Sequence, residues 1–129
     1  MKFKIDTNPS YTRILPEDGP VNATMAALLT QKCQEVQAEK SRNLIVDFSQ
    51  LPDSAASDAE ALFAAWAQLH EMQYEKGYSL ILTGFQPLLL AQIKRAELHH
   101  MLNITPTLIE AIDMVNMEML ERDLFNEEP

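Results

Sequence analysis

Between Leu51 and Leu62 the chain reads Leu51-Pro52-Asp53-Ser54-Ala55-Ala56-Ser57-Asp58-Ala59-Glu60-Ala61-Leu62. Two hydroxyls and three carboxylates fall close together, after a short apolar run and before a helical pattern. That position is the C-terminal edge of a sheet, where open α/β folds meet ligands and partners. Ser57 and Glu60 have the spacing of a capping box, which predicts Ser57 at the N-cap of the following helix. A phosphate on such a hydroxyl adds ~1.5–2 negative charges beside unpaired N–H groups and a favourable helix dipole. Ser57 is therefore the phosphoacceptor candidate. Asp53, Ser54, Ser57, Asp58 and Glu60 together are the candidate partner-binding residues. The plainer alternative is that Ser57 only caps its helix.

Other chemistry is sparse. The glycines are Gly19, Gly77 and Gly84, and no GxGxxG or GxxxxGK[ST] loop occurs, so no cofactor is expected. The histidines are His70, His99 and His100. Adjacent His99 and His100 are expected to point apart, and the Cys/His spacing of a metal site is missing, so no metal is expected. Cys33 lies on the apolar stripe of a helix and reads as inert packing. Phe63 and Trp66, at helical spacing beside Leu62 and Leu69, read as core. Met72, Met101, Met114, Met117 and Met119 read as gap-filling, with a soft binding surface as the alternative. An enzyme would use Asp53, Asp58 or Glu60 as general base with His70 nearby, but no nucleophile–base–orienter set is visible. The chain is read as a non-enzyme.

These residues need a scaffold, and the hydrophobic pattern supplies one. Lys2 to Asp6 alternates and reads as a strand; after the turn Asn8-Pro9-Ser10 a second strand runs from Tyr11 to Leu15, antiparallel to the first. Pro16 to Pro20 reads as a loop. Met25, Leu28, Leu29, Cys33 and Val36 mark a helix over 22–40. Leu44 to Phe48 and Tyr78 to Thr83 read as buried strands. Between them Leu62, Phe63, Trp66, Leu69 and Gln73 share a helical face that Gly77 ends. Pro87 opens a third helix carrying Leu89, Leu90 and Ile93. A short strand is expected over Leu102-Asn103-Ile104. Thr107 and Glu110 form a capping box for a fourth helix with Leu108, Ile112, Val115 and Met119 inside. The predicted fold is α/β: one mixed, mostly parallel sheet of four to five strands with about four helices. Residues 1–129 form a single domain, with a frayed tail from about 123.

Composition bounds the partners. Ten Lys and Arg against nineteen Asp and Glu give a net charge of −9 among 129 residues. So acidic a chain repels nucleic acid and anionic membrane surfaces. No apolar run approaches the ~20 residues of a membrane span, no signal-peptide pattern opens the chain, and one cysteine closes no intrachain disulfide. The expected location is the cytoplasm.

Three stretches stand out in order: Asn43-Leu44-Ile45-Val46-Asp47-Phe48-Ser49-Gln50-Leu51, Tyr78-Ser79-Leu80-Ile81-Leu82-Thr83-Gly84-Phe85-Gln86-Pro87, and residues 96–112, Ala96-Glu97-Leu98-His99-His100-Met101-Leu102-Asn103-Ile104-Thr105-Pro106-Thr107-Leu108-Ile109-Glu110-Ala111-Ile112. In these and in the order of its elements, from Phe3 to about Val115, the chain resembles the STAS domain, the family of anti-sigma-factor antagonists and of the cytoplasmic tails of sulfate transporters. The resemblance implies regulation by binding. An antagonist of this type binds an anti-sigma factor that is also a serine kinase, and phosphorylation at the start of the second helix releases it. The family motif there is Asp-Ser-[Ser/Thr]-Gly followed by an apolar residue. Counted forward from Asp47, the acceptor position falls on Ser57, with Ala55 and Ala56 before it and Asp58 in place of glycine. Counted backward from Gly77, it falls on Glu60, a permanent acidic substitute. Asp53-Ser54 is a third candidate. The alternative within the family is a non-phosphorylated STAS subunit docking on the ATPase of an ABC transporter.

Overall fold

The chain alternates strands and helices after an initial hairpin, as read from a computed structural model that describes residues 2–39 and 42–126. The elements are β1 (Phe3–Thr7), β2 (Thr12–Pro16), α1 (Ala23–Glu39), β3 (Leu44–Asp47), α2 (Ala59–Lys76), β4 (Leu80–Thr83), α3 (Pro87–Arg95), a 3₁₀ turn (Leu98–His100), β5 (Ile104–Thr105) and α4 (Leu108–Asn126). The five strands lie in sequence order in one sheet. β1 and β2 are antiparallel, with Ile5 opposite Ile14, and every later pairing is parallel. The expected α/β class, mixed sheet and four helices are all present. Pro16 ends β2 instead of starting the loop. α4 runs through 123–126, where a frayed tail was expected to begin; 127–129 lie outside the described residues.

Strand alternation divides the apolar runs between two layers. Leu44 and Val46 of β3, with Leu80 and Leu82 of β4, face α1, α2 and α3 in one core that includes Leu29, Trp66 and Ile93. Ile45 and Ile81 face the other way and pack with Tyr11 against Ala111 and Val115 of α4. Leu28, expected on the α1 stripe, is exposed, because it lies ~100° around the helix from Leu29. Met101 and Met117 are also exposed and fill no core gap, whereas Met25 is buried.

Two polar clusters tie the ends of the sheet. At the N-terminal edge of β3 and β4, Arg122 donates to Ser79 Oγ and Asn43 Oδ1, each at 3.1 Å. Ser79 Oγ donates to Glu118 at 2.6 Å, and Asn103 Nδ2 donates to the same carboxylate at 3.2 Å, so α4 is anchored by hydrogen bonds as well as by packing. At the C-terminal edge the buried Asp47 carboxylate lies 3.6 Å from Arg13 and accepts the Ser49 N–H at 3.0 Å. Gly84 crosses directly over it with φ 78°, a backbone conformation that favours glycine.

Candidate functional site

The loop from Phe48 to Asp58 leaves this C-terminal edge and is held by α3 and the α1 approach. Leu51 and Ala56 are its buried anchors. The Gln92 side chain clamps Ala56 from both sides: Ala56 N–H donates to Oε1 at 2.7 Å, and Nε2 donates to the Ala56 carbonyl at 3.2 Å. One residue on, Ser57 N–H donates to the Val21 carbonyl at 3.1 Å. Earlier in the loop, Asp53 Oδ1 accepts the Leu88 N–H at 3.0 Å, and Gln86 Nε2 donates to the Ser49 carbonyl at 3.4 Å. The backbone is therefore fixed up to Ser57, whose side chain is exposed.

Asp58, not Ser57, is the N-cap of α2. It adopts the left-handed conformation, φ 52° and ψ 50°, and no side chain caps the helix. The expected capping box between Ser57 and Glu60 is not formed. Its reason is the turn at Asp58, which directs the chain into the helix one residue later than the spacing implied and leaves Ser57 outside it. Asp and Asn tolerate such a left-handed residue better than most side chains.

Ser57, Asp58 and Glu60 come together as exposed groups at the start of α2. Asp53 is also exposed, but its carboxylate is engaged on the first turn of α3, where the dipole and the free N–H groups favour it. Ser54 is half-buried in the same loop. Beside Glu60 an open groove of about 410 Å³ runs between α2 and α3, lined by Ala59, Glu60, Phe63, Gln92, Arg95 and Leu98. Sequence reasoning missed Gln92 and Arg95. Both lie on a helix read for its apolar face, and no local pattern signals that Gln92 contacts a loop 36 residues away or that Arg95 lines the groove.

His70 does not join the acidic corner. It lies more than two helical turns along α2, where it lines a separate cavity of about 420 Å³ with Gln73, Tyr78 and Arg122. The acid–histidine pairing required by the enzyme alternative is thus not assembled. His99 and His100 do not point apart as expected. On the 3₁₀ turn their rings lie 4.0 Å apart, because the tight turn replaces the regular helix or strand geometry that would separate them. No group of three or more metal-binding side chains occurs among the described residues. Cys33 is fully buried, and burial pushes its thiol up to about 12. Among the described residues no helix is long and apolar enough to cross a membrane.

Solved structures of the same shape share little sequence with the chain. A candidate anti-sigma factor antagonist from Thermotoga maritima superposes with a TM-score of 0.72 at 14% identity, over 88% of this chain and 94% of its own. RsbS of Moorella thermoacetica, in a serine-to-glutamate variant, gives 0.68 at 14% identity over 95% and 99%. An anti-sigma factor antagonist from Mycobacterium paratuberculosis gives 0.61 at 19% identity over 89% and 93%. These likenesses establish the fold. No curated protein sequence matches the chain significantly. The sequence model of the STAS domain matches residues 2–111, which hold all five strands, α1 to α3 and the first residues of α4. The chain belongs to the STAS domain family.

Proposed function

We propose that this chain is a regulatory binding module of the anti-sigma-factor antagonist type. It engages a protein partner, an anti-sigma factor that is also a serine kinase, through the corner around Asp53, Ser54, Ser57, Asp58 and Glu60. Phosphorylation of Ser57 releases it. The observation that carries this reading is the left-handed Asp58 directly after an exposed Ser57. The family motif has glycine after its phosphoacceptor, and a positive φ is what glycine supplies at lowest cost. Counting forward from Asp47 puts that glycine position on Asp58. Counting backward from Gly77 puts it on Ala61, inside the regular part of α2, where no such conformation is needed. The forward count, with Ser57 as acceptor, agrees better with the backbone.

The pinned loop supports a switch that acts at its surface. Hydrogen bonds at Ala56 and Ser57 hold the backbone, so a phosphate on the exposed hydroxyl changes the charge of the corner with little effect on the fold. Added beside Asp58 and Glu60, it turns an acidic contact into a strongly anionic one and disfavours a partner fitted to the unmodified form.

The test is incubation of the full chain with ATP and the switch kinases encoded in its genome, followed by mapping of the added phosphate. Phosphate on Ser57, abolished by Ser57→Ala, is the expected result; phosphate elsewhere, or none with every cognate kinase, removes Ser57. Partner capture by the Asp58→Lys, Glu60→Lys double variant tests the corner separately, with loss expected and unchanged capture decisive against it. A second reading, docking without phosphorylation on the ATPase of an ABC transporter, is favoured by Ala55 and Ala56, which stand where the motif has Asp and Ser. In that case capture still depends on Asp58 and Glu60, but the partner encoded beside the gene is an ATPase instead of a kinase.

A further inference from the structure

The outward face of α4 is apolar where a surface helix is ordinarily polar. Ile109, Met117, Leu120 and Leu124 are 73%, 62%, 61% and 58% exposed. At ~100° per residue, they fall within one sector of about 80°, which also holds the exposed Asp113 between Ile109 and Met117. The opposite side of the helix, with Ala111 and Val115, is already buried on the sheet, so the row is not part of the core. From Ile109 to Leu124 it extends about 22 Å, the length of a helix–helix seam. Single exposed apolar side chains are ordinary, but four large ones grouped on one face, broken only by Asp113, mark a contact surface.

Charge identifies what fits it. Glu110, Asp113, Glu121 and Asp123 are exposed on the same helix. Arg122 is turned back to Ser79 and Asn43, and Glu118 belongs to that inward network. No cation stands among the exposed described residues of α4. A second copy of the chain set against the row would bring carboxylates against carboxylates in either orientation. An anionic bilayer would meet the same repulsion. We propose that the outer face of α4 docks an amphipathic helix of a partner protein, apolar along its seam and basic along its edges. The surface lies on the face of the sheet opposite α2, so it is separate from the Ser57 corner and stands whether or not that corner is a switch.

The full chain is titrated, by fluorescence anisotropy, into two labelled helical peptides of about 18 residues, a length at which helices persist. Both have a leucine seam; one has lysine edges and the other glutamate edges. The lysine peptide is expected to bind at least about tenfold more tightly, to weaken with added salt, and to lose about tenfold or more in both M117Q/L120Q and D113K/E121K. A photoreactive lysine peptide on the unaltered chain is expected to cross-link to α4, which covers the case of a variant that fails to fold. Equal binding of the two peptides, affinity indifferent to both variants, or cross-links confined to other elements overturns the proposal. So does self-association by sedimentation, or flotation with phosphatidylcholine vesicles, that M117Q/L120Q abolishes: those results assign the face to a second copy or to a bilayer.

Discussion

The Asp53 carboxylate accepts a hydrogen bond from the Leu88 N–H at 3.0 Å, so a residue of the β3–α2 loop caps α3, a helix that begins more than thirty residues later. Gln86, the N-cap of α3, makes no side-chain cap of its own. One side chain therefore satisfies an otherwise orphaned donor and fastens the candidate partner-binding loop to the sheet edge. Asp53→Ala is expected to lower stability by about 1 kcal/mol, as for loss of an ordinary N-cap, and to speed amide exchange at Leu88. Urea unfolding and exchange measurements check both. Asp53→Asn, whose amide oxygen still accepts, is expected to lose less.

Asp58 carries a conformation that glycine adopts without strain. Asp58→Gly is expected to stabilise the chain by roughly 0.5–1 kcal/mol despite the added freedom of the unfolded state, and Asp58→Val to destabilise it by about 1 kcal/mol or more. Chemical denaturation of the pair against the parent chain measures the sign. If both substitutions destabilise equally, Asp58 serves its carboxylate and not its backbone.

Much of this scaffold is written locally. Gly77 ends α2 with the two backbone bonds of a Schellman turn, Gly77 to Tyr74 and Tyr78 to Gln73, and this stop depends on one residue's lack of a Cβ. Thr107 caps α4 through the Glu110 N–H, as its spacing implied. Leu44-Ile45-Val46 announced a buried strand because β3 is covered on both faces. The corner was less legible for the opposite reason. Whether Ser57 or Asp58 begins the helix is decided by Gln92 and Val21, which grip the backbone at Ala56 and Ser57 from distant elements. The capping-box spacing of Ser57 and Glu60 carries no trace of those contacts. The outer face of α4 is hard to read in the sequence, where its apolar residues merge with those of the buried face; only Met117 carries a hint of a binding surface.

Gly84 is confined more severely than any other described glycine. A Cβ there would lie 2.5 Å from Asp47 Oδ1 and 2.9 Å from the Ser49 nitrogen, and φ is already +78°. Asp47 cannot easily yield, since it is buried and held by Arg13 and the Ser49 N–H. Gly84→Ala is expected to cost roughly 3 kcal/mol, combining backbone strain with displacement of a buried carboxylate. The same change at Gly77, where the nearest atom is the flexible Arg122 Cδ at 3.9 Å, meets only the backbone penalty, about 1 kcal/mol. Thermal or urea unfolding of the two variants side by side measures the difference, and equal losses would show that Asp47 gives way freely.

Cys33 links stability to alkaline pH. Its thiol is buried on α1, and burial raises it from an ordinary 9.0 to about 12. Between those values the unfolded chain has released the proton and the folded chain still holds it, so the folded state binds more protons and stability falls as pH rises. The contribution is intact below about pH 9 and is lost progressively toward 12, at up to about 1.4 kcal/mol per pH unit. To isolate the contribution of the thiol, the parent chain is compared with Cys33→Ala. The variant is expected to be less stable near neutrality by roughly 1 kcal/mol, for the sulfur packing it loses, and to show a shallower decline above pH 9. Parallel declines would mean that the thiol ionises in the folded protein. A thiol reagent offers an independent reading: modification at pH 8 is expected to follow the rate of unfolding, since the buried sulfur presents neither access nor thiolate.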